Sequence, residues 1–189
     1  MTHVEAMPAG TTDRRAGVLD SALTTFARFG YRKTSMDAIA RSADISRPGL
    51  YFLFASKEEL FRAAVLRGLE DDLSNAEAVL GERDRPIRAR VLAAFDLWAG
   101  RYVGPGARDL AAVIDESPGL LGEIVVDLPQ RFADLVTAAL VASLSGESAA
   151  SCAQIAQMLI SASIGIKHQV EDRVSYNERF AVAVDLLVR

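Results

Sequence analysis

The sequence predicts an all-α protein, and three observations carry that prediction. Apolar residues recur at intervals of three and four along most of the 189 residues, the spacing that gathers one face of a helix. Hydroxyl residues stand directly before several of these stretches, where a side-chain oxygen can accept from the free N–H groups of a first helical turn. No segment shows the strict alternation of a half-buried strand, and no repeat or low-complexity tract interrupts the pattern.

The elements follow in order. Residues 1–10, MTHVEAMPAG, read as a mobile arm; they lack the charged and apolar regions of a secretory signal. Thr12 or Asp13 starts a helix in which Val18, Ala22, Phe26 and Phe29 form one stripe and Leu19 and Leu23 widen it. Gly30 ends it as a left-handed cap. Thr34 or Ser35 caps a second helix running to Arg41 or Ser42, with Met36, Ile39 and Ala40 on its inner face. Ala43-Asp44-Ile45 is long enough only for a turn. Ser46 caps a third helix with Pro48 in its first turn, where a missing N–H costs nothing. Ser56 caps a fourth, with Glu58 and Glu59 at its positive end, and this helix passes through Gly68 to Val79 or Leu80. Helix, three-residue turn, helix is the geometry that lays a second helix in the major groove of DNA.

Charge is distributed unevenly. The chain has a net charge of −4, yet residues 11–67 carry ten Lys/Arg against six Asp/Glu, whereas residues 68–189 carry eleven against eighteen. A basic N-terminal third on an acidic body is the asymmetry expected when one end meets phosphate.

Residues 14–66 resemble the N-terminal domain of the tetracycline-repressor (TetR) family of bacterial transcription regulators. The matching residues are Val18-Leu19, Ala22, Phe26, Gly30-Tyr31, Thr34-Ser35, Ile39-Ala40, Ala43, Ile45-Ser46, Leu50-Tyr51, Phe54 and Ser56-Lys57-Glu58-Glu59-Leu60. Asp44 stands where the family usually has glycine, Gly49 replaces a Thr or Ala, and Leu53 replaces a polar aromatic position. The resemblance implies a DNA-binding domain over 11–70 and a ligand-binding and dimerisation domain over 71–189. It also implies a homodimer on a palindromic duplex operator, most often as a repressor released by a small-molecule effector. Thr34, Ser35, Ser46, Tyr51 and Lys57 match positions that touch phosphate, and their hydroxyl, phenol and ammonium groups suit that role. Arg47 suits a bidentate contact to guanine O6 and N7, or else a phosphate. Pro48 and Gly49 lack bulk, so the helix start can come close to base edges; Phe52 can contribute only apolar contact. Tyr51 is equally readable as a core residue.

Beyond the fourth helix, residues 81–85 form a charged connector in which Glu82 and Asp84 interleave with Arg83 and Arg85. Pro86 opens a helix to about Val103. Gly104-Pro105-Gly106 breaks the chain, a short helix follows at 108–116, and Ser117-Pro118 opens a long apolar stretch to Leu144 that Pro129 must kink or interrupt. Helices at 149–170 and from Ser175 to Leu187 complete the chain. Phe95, Trp98 and Tyr102 form an aromatic stripe that, with Phe132 after Pro129, suits either the wall of an effector pocket for an apolar compound or plain core filling. Leu159, Ala162, Gly165 and Ile166, with Phe180, Val184 and Leu187, form apolar and small-residue stripes suited to a dimer interface, and Gly165-Ile166-Lys167-His168 with the last helix is also similar to the family's C-terminal dimerisation pair.

Other chemistry finds little support. Two histidines, His3 and His168, and one cysteine, Cys152, give no metal-ligand spacing and no catalytic set, and no phosphate-binding Gly-rich loop or Gly-x-Ser-x-Gly elbow occurs. Neither an enzyme nor a cofactor is expected. Cys152 reads as a small buried hydrophobe, and a single cysteine fits a reducing cytoplasm. No unbroken run of about eighteen apolar residues is present, so no membrane span is predicted. The rival reading is a DNA-binding protein with no effector; a small helical enzyme is more remote.

Overall fold

The computed structural model describes residues 9–104, 114 and 118–189, and among them every regular element is helical. These elements are α1 (Ala9–Phe29), α2 (Met36–Ser42), α3 (Arg47–Leu53), α4 (Lys57–Leu80), α5 (Ile87–Trp98), a 3-10 turn (Gly100–Tyr102), α6 (Pro118–Leu121), α7 (Ile124–Val141), α8 (Ala149–Lys167) and α9 (Arg173–Leu187). Of the arm expected at 1–10, residues 1–8 lie outside the described residues and Ala9 and Gly10 belong to α1; most of the expected helix at 108–116 also lies outside them.

Two apolar clusters divide the interior. The first joins Val18, Ala22 and Phe26 of α1 to Ile39 of α2, Leu50 and Phe54 around α3, and Leu60, Phe61 and Val65 of α4. The second runs from Leu73 of α4 through Phe95, Phe132 and Leu159 to Val184 of α9. Helix α4 contributes to both, so it is the rod that joins them. Near its middle, a Cβ on Gly68 would come within 2.7 Å of Leu23 Cδ2; the absent side chain lets α1 approach α4 closely.

Several boundaries differ from the sequence reading for identifiable reasons. Helix α1 begins at Ala9, because nothing in Ala9-Gly10-Thr11-Thr12 obliges the backbone to break. Helix α5 stops at Trp98, not Val103: at Gly100 a Cβ would stand 2.7 Å from Asp96 Oδ1 and 3.1 Å from the Tyr176 ring, so the chain tightens into a 3-10 turn against α9. Pro129 neither ends nor interrupts its helix. The interruption comes earlier, at Gly122 (φ +59°), and α7 then runs unbroken through Pro129, which faces solvent where water can satisfy the carbonyl it leaves unpaired. Helix α9 is capped by Asp172, whose carboxylate accepts from Ser175 N–H at 2.9 Å and from Ser175 Oγ at 2.8 Å; Ser175 supports the cap and does not form it.

Helix α8 meets, by length and composition only, a looser test than the unbroken apolar run sought in the sequence. By length and average composition Ala149–Lys167 is long and apolar enough to cross a bilayer, and only 22% of its most apolar window is buried within the subunit. Ser151, Gln154, Gln157 and Ser161 hide this from a search for an unbroken apolar run.

Candidate nucleic-acid interface

Helices α2 and α3 are seven residues each, too short to persist alone, and hold their shape through caps and one buried face. Ser35 Oγ accepts from Ala38 N–H at 3.2 Å and Ser46 Oγ from Gly49 N–H at 3.1 Å. Asp44 between them adopts φ +51°, the left-handed conformation that Asp tolerates better than most residues; the turn keeps the family's geometry without its glycine. Leu50 is fully buried and roots α3 in the first cluster. That anchoring turns Arg47, Pro48, Tyr51 and Phe52 to solvent, successive positions of one helical face.

On this face Phe52 is 84% exposed and Tyr51 42%, so Tyr51 is no core residue. The Arg47 Nε lies 3.0 Å from Asp37 Oδ1, and its guanidinium sits 5.7 Å from the Tyr51 ring centre. Arg47 is exposed and Asp37 half-buried with its Oδ1 enclosed, and the pair draws Arg47 towards α2. Arg32, Lys33 and Arg41 are exposed and form no ion pair among the described residues. Ser35, Ser46 and Gly49 lie at the two helix starts, Ser35 and Ser46 exposed and Gly49 half-buried.

Two expected phosphate ligands are engaged inside the protein. Thr34 is buried and its hydroxyl donates to Gly30 O at 2.8 Å, a use that its position next to the true cap, Ser35, had concealed. The Lys57 ammonium donates to Tyr31 O at 3.1 Å and Thr34 O at 3.2 Å and lies 4.4 Å from the Tyr31 ring centre. Lys57 therefore clamps the turn between α1 and α2. Tyr31 in turn packs on Phe26 and Phe61, and burial, assisted by Glu58, raises its phenol pKa. Contacts spanning 26 residues leave no local spacing signal in the sequence. The same holds for Asp37 with Arg47 and for Arg15, whose guanidinium covers the Phe54 ring at 4.7 Å.

The comparisons with known proteins fall on this unit. Residues 18–64 match the family model described as bacterial regulatory proteins, tetR family. The chain carries a TetR-family DNA-binding domain. Over 60 residues it is 38% identical to the HTH-type transcriptional regulator YfiR of Bacillus subtilis, covering 32% of this chain and 29% of that one. Over 131 residues it is 29% identical to the HTH-type transcriptional regulator RutR of Escherichia coli, covering 57% and 60%. Each alignment thus spans less than two thirds of the curated relative. The fold as a whole is similar to a putative transcriptional regulator from Saccharomonospora viridis solved in complex with choline, with a TM-score of 0.74, 15% identity and 92% and 96% of the two chains covered. All three carry the name of a transcriptional regulator, and the family match itself falls on the helix-turn-helix unit, residues 18–64.

The candidate effector-pocket residues come together, but on one another. Phe95 meets Phe132 edge-on at 5.0 Å and Phe180 at 4.5 Å, while Trp98 stacks on Phe132 at 4.8 Å. Phe95 and Phe132 are fully buried, so among the described residues this stripe is core. Tyr102 lies in the 3-10 turn, not on α5, and donates to Asp72, which also pairs with Arg101. Asp72 has no exposed surface; burial raises its pKa against the pull of Tyr102 and Arg101, and burial beside that carboxylate pushes the Tyr102 phenol far up. Asp115, a possible polar partner there, lies outside the described residues.

The candidate interface residues divide in two. Leu159, Phe180 and Val184 are buried in the subunit's own core, Phe180 against Phe95 of α5 at 4.5 Å, and have no surface for a second subunit. Ala162, Gly165, Ile166 and Leu187 are half-buried. The outer faces carry Met158, Ile164, Val174, Val182 and Leu186, each more than half exposed, which the sequence reading missed because it followed the stripe that enters the subunit's own core.

Proposed function

We propose that this protein is a homodimeric transcriptional repressor that binds a palindromic duplex operator through α3 and leaves it on binding a small apolar effector. The exposed face of Arg47, Pro48, Tyr51 and Phe52, held out by buried Leu50, carries the reading: it offers one bidentate donor and apolar surface for base edges, flanked by helix starts and cations for phosphate. Dimerisation through α8 and α9 is supported by their exposed apolar side chains, which a second copy would cover. The choline-bound neighbour shows that this fold can hold a small molecule in another protein; here the aromatics around Phe95 and Trp98 pack on one another, so an effector would have to part them. Function in the cytoplasm follows from the DNA target.

The test is to place the DNA flanking the coding gene before a reporter and compare cells with and without the protein. Repression that a compound relieves, with the same compound releasing purified protein from that DNA, supports the proposal. Binding with no compound able to reverse it favours the effector-free alternative, and enhanced expression identifies an activator.

A further inference from the structure

The four arginines around the α4–α5 connector are a basic group that DNA binding by α3 does not use, and the structure separates them. Arg85 pairs with Glu82 at 2.7 Å. Arg88 donates to Val188 O at 2.6 Å and stands 3.5 Å from Asp185. Arg83 and Arg90 have no carboxylate at ion-pair distance among the described residues.

Arg90 is only 6% exposed, a rare place for a guanidinium. It donates from Nη1 to Leu80 O and from Nη2 to Ser143 Oγ, both at 2.7 Å, tying the C-terminal ends of α4 and α7 together. The negative ends of those two helices offset part of its charge. Its Nε, also buried, has no hydrogen-bond partner, and Arg83 remains uncompensated. Arg83, Ile87, Arg90, Ala142 and Ser143 line a depression of about 290 Å³. Ile87 is the first residue of α5, a twelve-residue helix that no side chain caps, so the N–H groups of Ile87, Arg88 and Ala89 precede its first helical bond, from Arg90 N–H to Pro86 O. Two guanidiniums without a carboxylate partner and the first residue of an uncapped helix thus line one depression; Arg90, its Nε enclosed and both Nη atoms already bonded, adds positive charge to the wall.

We propose that this depression binds a small oxyanion of the phosphate type, held between Arg83, Arg90 and the N-terminus of α5. Forked guanidiniums and first-turn amides match the several acceptors of a tetrahedral dianion. The space exceeds what bare phosphate needs, so free phosphate and a small phosphomonoester share the chemistry. The site lies at the far end of α4 from the recognition unit and owes nothing to the DNA-binding proposal.

The test is titration of the 15N-labelled full chain with inorganic phosphate at constant ionic strength, with glycerol phosphate as a second arm. The amides of Ile87, Arg88 and Ala89 should shift saturably. Arg83→Gln should weaken binding by about tenfold or more, whereas Arg85→Gln, which removes a paired arginine outside the depression, should leave it unchanged. Tighter binding of glycerol phosphate identifies a phosphomonoester site, and equal binding a phosphate site. Unmoved α5 amides, shifts confined to the helix-turn-helix cations, or equal affinity of the two variants would overturn the proposal.

Discussion

At Arg47 the protein holds the proposed base-reading group against Asp37. Its partner Asp37 is half exposed as a side chain, but the paired Oδ1 is enclosed, so DNA that draws Arg47 away must leave that oxygen without its partner. Lys57 stands in contrast: its two carbonyl partners and the Tyr31 face make it part of the fold. Lys57→Met should therefore lower stability by about 1–2 kcal/mol in urea unfolding, besides weakening DNA binding alike on every sequence; unchanged stability would return Lys57 to the phosphate ligands. Asp44→Gly should stabilise by up to about 1 kcal/mol by removing the left-handed penalty, and Asp44→Val should destabilise by about 1–3 kcal/mol. Asp96 links pH to stability. Hydrogen bonds from Arg173, then from Asn177, hold its pKa below the usual aspartate range against the upward pull of partial burial. A group lowered on folding stabilises above its unfolded pKa, about 4, and that contribution is lost as pH falls through the lowered folded value. Arg173→Ala should thus flatten the acid limb of a stability–pH profile while leaving its neutral shape intact.

At the scale of elements, caps and periodicity made most of the helices legible: Ser35, Ser46 and Ser56 each cap the helix they precede. What was not legible depends on long-range contact. Gly100 ends α5 because Tyr176 crosses it, and no local pattern announces that. Thr34 and Ser35 are equivalent caps in sequence, and only the return of the Thr34 hydroxyl to Gly30 separates them. The recognition face was readable because its polar residues match a familiar spacing; the Lys57 clamp and the Asp37–Arg47 pair were not, because their partners are distant. Helices α8 and α9 show the same limit. Periodicity locates an apolar stripe but not which of two stripes the neighbouring helix covers. The outer stripe offers a clean assembly test. A Cβ on Gly165 would meet nothing within 4 Å, so Gly165→Arg should leave the subunit folded yet place an unpaired charge in the proposed interface. Sedimentation should show folded monomers; an unchanged dimer would move the interface elsewhere.

For the whole molecule, the central claim is that α3 reads duplex DNA while the basic N-terminal unit grips its backbone. In the proposed homodimer each subunit would present one such helix, and the pair would read two half-sites about one helical turn apart. The most direct measurement is the affinity of wild-type protein and Arg47→Ala for a selected operator and a scrambled duplex, by fluorescence anisotropy across a salt series. Wild type should prefer the operator by about a thousandfold or more, with affinity falling steeply as salt rises. Arg47→Ala should lose about 1–3 kcal/mol on the operator while holding the scrambled duplex nearly as well as wild type does. Equal affinity of the wild type for both duplexes, or an Arg47→Ala variant that keeps its full preference, would contradict the account.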